Sequence, residues 1–285
     1  MRRHTRAEGY TLVELLIVLA IVGMVAGGIV GVYQVSQGIY TRATALEDAQ
    51  LGARAGLDRM ASELRLIGSY WVGASCAPLP NCNAITAATP TSITFRANVD
   101  DSSVINGAEA TPSPTTTGNS VPLSITAGQT GDAFKVYQNP ADNDYIYIAN
   151  GGRREVKQIT DINGSTLTLA SALSSPYSAA GSLVRDVKII TYTRNASATS
   201  TCPTLTCLTR TQGGSGADPI VDNVSGLTFF YFLSNGVTPT TDPALIREIQ
   251  IDLTVCIKRT PAASCQDPDS SSRQMTTRVK PRSLP

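Results

Sequence analysis

The chain opens with a short polar leader followed by a long apolar run. From Leu15 to Val35 the only polar side chains are Tyr33 and Gln34, and about 20 apolar residues in a helix are enough to cross a bilayer core of about 30 Å. Glu14 stands directly before this run. A charge costs roughly 2.5–3.5 kcal/mol at the centre of such a helix, less near an interface, and usually has a functional partner. The pattern predicts a leader over residues 1–9 and a membrane-spanning helix over 10–35.

The next segment has apolar positions at helical spacing. They recur every three or four residues, with Gln50 as the one polar exception, and they are Leu46, Ala53, Leu57, Met60, Leu64 and Ile67. This period predicts an amphipathic helix over residues 36–68, with Gly68 as its stop. Two to three heptads are short for a free coiled coil. The pattern therefore favours a helix that packs on a β-sheet.

From Ser69 onward the pattern changes to short strand-like runs between polar segments. The predicted strands are Ser92–Arg96, Phe134–Tyr137, Tyr145–Ala149, Glu155–Thr160, Ser165–Leu169, Leu183–Arg194, Cys207–Thr211, Leu227–Leu233, Ile246–Ile257 and Arg273–Val279. Asn163-Gly164 is a strong hairpin signal. Residues 74–91 and 107–131 are rich in Pro, Thr, Gly and Asn and are predicted to be exposed loops. The whole pattern predicts an α+β fold with a β-rich head over residues 69–285.

The residues around Glu14 resemble a known family. The run Gly9-Tyr10-Thr11-Leu12-Val13-Glu14-Leu15-Leu16 resembles the G-F-T-L-x-E-L-L motif of type IV prepilins and of type II secretion pseudopilins. In that family a prepilin peptidase in the membrane cuts after the Gly and methylates the new N-terminus. The resemblance implies cleavage between Gly9 and Tyr10, N-methylation of Tyr10, and a pilin-like fold.

Similarity at both ends of the chain narrows the resemblance. The sequence resembles PilW-type minor pilins and J-type pseudopilins over residues 53–68, 222–231, 246–251 and 278–282. The likeness is weak through residues 70–180. A PilW-type minor pilin implies a structural subunit, not an enzyme, that primes or caps pilus assembly and links other minor pilins to the major pilin. It also implies possible adhesion at the tip.

The same resemblance implies location and partners. The chain would sit in the bacterial inner membrane in a single pass, with its N-terminus in the cytoplasm, and would then enter the pilus. Its partners would be the prepilin peptidase, the assembly platform, other pilins and, before assembly, membrane lipid. A J-type pseudopilin is the alternative. A membrane-anchored periplasmic binding or enzyme domain is the third reading, and an ordinary signal peptide cut near Ala26-Gly27-Gly28 is the rival explanation of the N-terminus.

Glu14 has two readings. Cleavage after Gly9 would create an α-amine four residues away, and the two charges can neutralise each other within one helix or between neighbouring subunits. The family favours the pair between subunits, which sets the register of assembly. The alternative is that Glu14 merely extends to the membrane interface.

Gly23, Gly27 and Gly31 fall four apart and would allow close helix contact, or mark a stretch that partly melts on packing.

Composition argues against catalysis and against nucleic acid. His4 is the only histidine of the sequence and lies in the leader, so a processed chain has no histidine for a catalytic triad, a general base or a metal site. Loss of the leader removes three of the 23 basic residues and one of the 22 acidic residues, which leaves a net charge of about −1. No cofactor, metal or nucleic acid is expected. The basic residues between Arg273 and Arg282 are interpreted as an exposed strand end.

Six cysteines form three local couples, which are Cys76 and Cys82, Cys202 and Cys207, and Cys256 and Cys265. An even count after a membrane segment favours disulfides in an oxidising compartment over zinc, because no couple has C-x₂-C spacing. Pairing within each couple is the simplest of 15 arrangements.

Asp142-Asn143-Asp144 lacks the ligand spacing of a calcium loop and is interpreted as a solvated turn.

Overall fold

The computed structural model describes residues 11–69, 84–99, 116–123, 134–136, 143–178, 180–195, 206–213, 216–257, 271–282 and 284. The chain divides into two units, Met1–Asp48 and Ala49–Pro285. Helix α1 (Leu12–Arg65) is 54 residues long. Its apolar side chains in the first unit are exposed, among them Leu15, Ile21 and Ile29. By length and composition α1 can cross a membrane, as the apolar run predicts.

The second unit contains, within the described residues, twelve antiparallel strands. They are β1 (Ile85–Thr89), β2 (Ser92–Ala97), β3 (Thr116–Pro122), β4 (Tyr145–Asn150), β5 (Arg153–Asn163), β6 (Thr166–Tyr177), β7 (Ser182–Asn195), β8 (Cys207–Gln212), β9 (Asp218–Asp222), β10 (Val224–Phe232), β11 (Glu248–Ile257) and β12 (Ser271–Val279). In the described part, one sheet has the order β1-β2-β7-β4-β5-β6-β3, with β8 on β7 and β9 on β8. The other has the order β10-β11-β12.

Strand β7 is shared by two parts of the large sheet. Its second half pairs with β2 and β8, and its first half pairs with β4. The change occurs at Lys188, which lies opposite Ala97 of β2, while the preceding Val187 lies opposite Tyr145 of β4. The two largest hydrophobic cores of the described residues lie on either side of this point.

The first core joins the C-terminal part of α1 to both sheets. It includes Ala53, Leu57, Met60, Leu64 and Ile67 of the helix segment, Ile93, Phe95, Ile190, Tyr192, Leu208 and Val221 of the large sheet, and Phe229, Tyr231, Ile249, Ile251, Leu253 and Val255 of the small sheet. The predicted apolar seam of the helix thus packs on β-structure. The alternating residues of β11 supply one wall, as expected for a sheet with one buried face.

The second core lies among β3, β4, β5, β6 and the first half of β7. It contains Val121, Leu123, Phe134, Ile146, Ile148, Ile159, Leu167, Leu169, Leu173, Tyr177 and Val184. The hairpin predicted at Asn163-Gly164 connects β5 to β6, with Asn163 opposite Thr166. Gly164 has a φ of 60°, a left-handed conformation that glycine adopts without strain.

Some predicted elements are wrong. Residues 134–136 form no strand. The apolar side chain of Phe134 instead fills the second core from irregular backbone. The segments 74–91 and 107–131 are not wholly loops, since β1 and β3 lie within them. Strand β3 contains Gly, Asn and Pro, which are poor strand formers, and it is held by irregular pairing with β6.

The end of α1 is close to the predicted position. The helix ends at Arg65, and Gly68 has a φ of 73°, so it does stop the chain from continuing as a helix. The Gly68 N–H donates to the carbonyl of Arg96 at 3.1 Å. This bond attaches the residues that follow the helix to β2.

Candidate processing and assembly site

The start of α1 is closed by a reciprocal pair of hydrogen bonds. The Thr11 N–H donates to Oε2 of Glu14 at 3.2 Å, and the Glu14 N–H donates to Oγ1 of Thr11 at 3.3 Å. The Thr11 hydroxyl also lies 3.3 Å from the same carboxylate oxygen. This arrangement is a capping box, in which two backbone donors at the helix start are satisfied by two side chains.

The capping box gives Glu14 a local partner. Capping residues stabilise a helix by about 1 kcal/mol, and a negative charge in the first turn is favoured by the helix dipole. From the sequence, Glu14 was singled out by its charge, and the role of Thr11 was not predicted. The signal was present, because Thr-x-x-Glu before an apolar run is the sequence form of this cap.

The carboxylate of Glu14 keeps room for a further donor. An ionised carboxylate has about four acceptor positions on its two oxygens, and both contacts to Thr11 use Oε2. The predicted cleavage residues Gly9 and Tyr10 lie outside the described residues. The arrangement of the predicted α-amine relative to Glu14 therefore stays a prediction.

The apolar surface after the cap is uncovered in this chain. Gly23, Gly27 and Gly31 lie within continuous helix, and a Cβ placed on any of them would meet no atom within 4 Å. Contiguous exposed apolar surface of this kind marks a membrane or protein contact. The glycines leave space for close approach of a neighbouring helix.

The C-terminal part of α1 is fixed to the head by a polar network as well as by the first core. Nε of Arg210 donates to both carboxylate oxygens of Glu63, at 3.0 Å to Oε1 and at 2.8 Å to Oε2. The Tyr192 hydroxyl donates to Oε2 of Glu63 at 2.8 Å. Burial, reinforced by the charge of Glu63, raises the pKa of Tyr192 far above its ordinary value. The hydroxyl therefore stays a donor, and the helix cannot rotate without breaking these bonds.

A glycine brings the helix close to β9. A Cβ on Gly56 would lie 2.2 Å from Cγ2 of Val221 and 3.3 Å from Cγ2 of Ile220. No side chain fits at the shorter distance. Gly52, one turn earlier, has open space instead, so the close approach is specific to Gly56.

Two of the predicted disulfide cysteines are described. Cys207 and Cys256 are both buried and both disulfide-bonded, and the described residues include no free cysteine. Cys76, Cys82, Cys202 and Cys265 lie outside the described residues. Pairing within the local couples stays a prediction.

The interpretation of Asp142-Asn143-Asp144 as a solvated turn is wrong for the two residues that are described. Asn143 and Asp144 are each only 1% exposed, and Asp144 forms an ion pair with Lys188 of β7. A short polar triplet is typical of a turn in sequence, but here Asp144 pairs with a residue 44 positions later in the chain. Within the described residues there is no group of three His, Cys, Asp or Glu side chains suited to a metal.

The basic cluster near the C-terminus is partly paired. Arg278 and Lys280 each lie 3.2 Å from the buried carboxylate of Glu248, and the Arg278 guanidinium lies 4.8 Å from the centroid of the Phe232 ring. Both basic side chains are half-exposed or more. These contacts tie β12 to β11 and to the end of β10.

The capped apolar helix and the antiparallel β-rich head onto which it continues define a pilin-like α+β architecture. Residues 4–30 match the family model of the prokaryotic N-terminal methylation motif. The match covers Gly9, Tyr10, Thr11 and Glu14 together, and it supports the type IV pilin and pseudopilin class, with processing by a prepilin peptidase and anchoring in the inner membrane before assembly. No curated protein and no solved structure matches the chain.

Proposed function

We propose that this chain is a minor type IV pilin of the PilW type. It is a structural subunit that primes or caps pilus assembly and links other minor pilins to the major pilin. The observation that supports the pilin class is the methylation motif over residues 4–30, placed at the capped start of a helix of membrane-spanning length. The PilW type is proposed from the resemblance of the later segments of the sequence. The β-rich head is proposed to lie outside the membrane and to be available for adhesion at the tip.

The motif supports specific processing. Cleavage falls between Gly9 and Tyr10, and Tyr10 becomes the N-methylated first residue. Thr11, which caps the helix through its backbone N–H and its hydroxyl, is then the second residue of the mature chain. The new α-amine therefore lies one residue from the cap and can reach an acceptor on Glu14 of the same or a neighbouring subunit.

Filament insertion explains the exposed helix surface. Before assembly, lipid covers the apolar side chains of the first unit. In the filament, other pilin helices take the place of lipid, and the open space at Gly23, Gly27 and Gly31 admits them closely. The disulfides at Cys207 and Cys256 support folding of the head in an oxidising compartment, with Cys202 and Cys265 as their proposed partners and Cys76 and Cys82 as the third pair.

The N-terminus of the mature protein tests this proposal. Mass spectrometry of the chain purified from membranes is expected to find N-methylated Tyr10 as the first residue in cells with the prepilin peptidase, and Met1 in cells without it. A mature chain that starts at Met1 in the presence of the peptidase, or near Ile29, would contradict the proposal.

A deletion strain separates the pilus from secretion. Loss of this chain is expected to abolish or reduce twitching while secreted proteins are released at the normal level. The opposite result would indicate a J-type pseudopilin, even if the N-terminus is methyl-Tyr10.

A further inference from the structure

Three charged side chains meet inside the head where β4 begins beside β7. They are Lys188, whose side chain is 1% exposed, and Asp144 and Asp186, whose side chains are 0% exposed. The Lys188 Nζ contacts Oδ2 of Asp144 and lies 3.2 Å from Oδ2 of Asp186. The amino group of Lys188 thus contacts the carboxyl group of Asp144, with the carboxyl group of Asp186 beside it.

The strand register produces this arrangement. Tyr145 lies opposite Val187, so Asp144 and Lys188 are the next facing pair along antiparallel strands. Asp186 is two residues from Lys188 and faces the same side of β7. The same face carries Ile146 and Val184 of the second core, so the three charged groups border apolar surroundings.

Asp144 is fixed by several hydrogen bonds. Its backbone N–H donates to the Lys135 carbonyl at 3.1 Å, and its carbonyl accepts from the Ile159 N–H at 2.9 Å. The Lys135 N–H donates to Oδ2 of Asp144 at 2.6 Å. The adjacent Asn143 donates its side-chain amide to the Ile159 carbonyl at 2.8 Å. The carboxyl group is therefore held in one orientation, and one of its oxygens is polarised by a backbone donor.

Burial favours the forms of these groups that can react. If all three were ionised, the cluster would place three charges in the interior. Transfer of the ammonium proton to one carboxylate leaves a neutral amine, a neutral carboxylic acid and one carboxylate. Because charges are costly in an apolar interior, burial acts against the form with three charges and toward the form with one. A neutral amine is a nucleophile, and a neutral carboxylic acid is an electrophile.

We propose that Lys188 and Asp144 form an intramolecular isopeptide bond. The Nζ of Lys188 attacks Cγ of the protonated Asp144, and the Lys135 N–H stabilises the oxyanion that develops. The Asp186 carboxylate accepts a proton from Nζ and transfers it to the departing hydroxyl, which leaves as water. One C–N bond forms, one C–O bond breaks, and no oxidant or cofactor is needed. The product is an amide that joins β7 to the residue preceding β4.

A second lysine–carboxylate contact in the head serves as a natural comparison. Lys157 Nζ lies 3.3 Å from Oε2 of Glu155. Burial opposes ionisation of Glu155, but hydrogen bonds from Ser174 and Lys157 outweigh it and hold the pKa of Glu155 below its ordinary value. Glu155 therefore stays an anion, which is a poor electrophile. No isopeptide bond is expected there, although the amine and the carboxylate are also in contact.

Mass spectrometry of the full chain in detergent tests the proposal. After reduction and alkylation of all cysteines, the mass is expected to be lower than that of the processed sequence by one water molecule. Trypsin is expected not to cut after Lys188, and a branched peptide is expected to join the segments that contain Asp144 and Lys188. A full mass with linear peptides on both sides would overturn the proposal, and this result needs no variant to fold.

Two variants test the roles of the neighbouring groups. Asp186→Asn keeps the shape of the site but removes the proton acceptor, so the chain is expected to have the full linear mass. A branched peptide in Asp186→Asn would overturn the role of Asp186. Lys157→Met, the matched control, is expected to keep the loss of one water. If Lys157→Met restored the full mass, the assignment of the bond to Lys188 would be wrong.

Discussion

At the scale of single residues, the capping box gives Glu14 two separable roles. Its carboxylate accepts hydrogen bonds from Thr11 within the same chain, and its charge is available to the amine proposed at Tyr10. Gln at position 14 keeps an acceptor for the cap but removes the charge. Substitutions at Thr11 and Glu14 therefore distinguish the two roles.

We expect Glu14→Gln and Glu14→Ala to be inserted in the membrane and processed after Gly9, but poorly incorporated into filaments, because both lack the charge that pairs with the amine. Thr11→Ala loses about 1 kcal/mol of capping but keeps the charge, and its incorporation is expected to be near that of the wild type. The ratio of each variant in sheared filaments to that in membranes, measured by immunoblot, checks this.

The three variants contain their own control. Normal incorporation of Glu14→Gln together with a defect in Thr11→Ala would show that the cap, and not the charge, is what assembly requires. Normal incorporation of Glu14→Ala would contradict both roles.

Some of these residues can be identified from the amino-acid sequence and others cannot, for physical reasons. Glu14 stands out because a charge beside an apolar run is visible locally. The cap at Thr11 was also local and could have been found. The contact of Lys188 with Asp144 was not accessible, because it depends on which strands are neighbours in the sheet and joins residues 44 positions apart.

At the scale of elements, those with a local sequence pattern were predicted, and those that depend on a distant neighbour were not. Helix α1 and the alternating strand β11 were predicted because their patterns repeat with the period of the element. Strand β3 was missed because its stability comes from its neighbour β6 and not from its own composition. Phe134 was assigned to a strand because an isolated apolar cluster does not show whether it belongs to a strand or fills a core from irregular backbone.

The packing of α1 on β9 gives a prediction at this scale. Gly56→Ala would place Cβ 2.2 Å from the rigid, β-branched Val221, so the helix and the strand must separate. Overpacking of this kind costs about 1–3 kcal/mol, which exceeds the gain of about 1 kcal/mol from replacing Gly by Ala in a helix. A net loss of stability is expected in urea unfolding of the full chain in detergent.

Gly52→Ala is the matched control for this prediction. The site is one helical turn away, and a Cβ there meets no atom within 4 Å, so the same substitution is expected to stabilise by up to about 1 kcal/mol. Adding Val221→Ala to Gly56→Ala is expected to restore part of the loss. Equal effects of the two glycine substitutions would contradict the close approach.

At the scale of the whole molecule, the two largest cores of the second unit depend on different polar contacts. Glu63 fixes the helix to the first core, whereas Glu155 supports the second. Both oxygens of Glu155 accept from the Ser174 N–H at 3.0 Å, and Oε1 accepts from the Tyr177 hydroxyl at 3.2 Å. Burial and the Glu155 charge raise the pKa of Tyr177, so its hydroxyl remains a donor at neutral pH.

The lowered pKa of Glu155 predicts an acid sensitivity. In the unfolded chain the group titrates near 4.5, and in the folded chain it titrates lower. Its stabilising contribution is therefore complete above about pH 4.5 and is lost as the pH falls through the folded value. Glu155→Gln is expected to lower stability by roughly 1–3 kcal/mol at neutral pH, and the difference from the wild type is expected to shrink below pH 4.5.

Thermal unfolding at a series of pH values checks this prediction. Asp161→Asn, on the exposed part of the same strand β5, is the control and is expected to leave the pH profile close to that of the wild type. A constant difference between Glu155→Gln and the wild type at every pH would show that the charge of Glu155 is not responsible.

The pairing of Ala97 with Lys188 has a consequence for how such a head can change in evolution. Ala97 is a buried member of the first core, β7 rejoins that core at Ile190, and Ala97 faces Lys188 on the adjacent strand. The described residues of the second core all fall between these two positions in the sequence, so this part of the head begins and ends at neighbouring points of one sheet. A turn of a few residues can join β2 directly to β7 without moving either strand, so related subunits can gain, lose or exchange this outer part while the helix-bearing core is preserved.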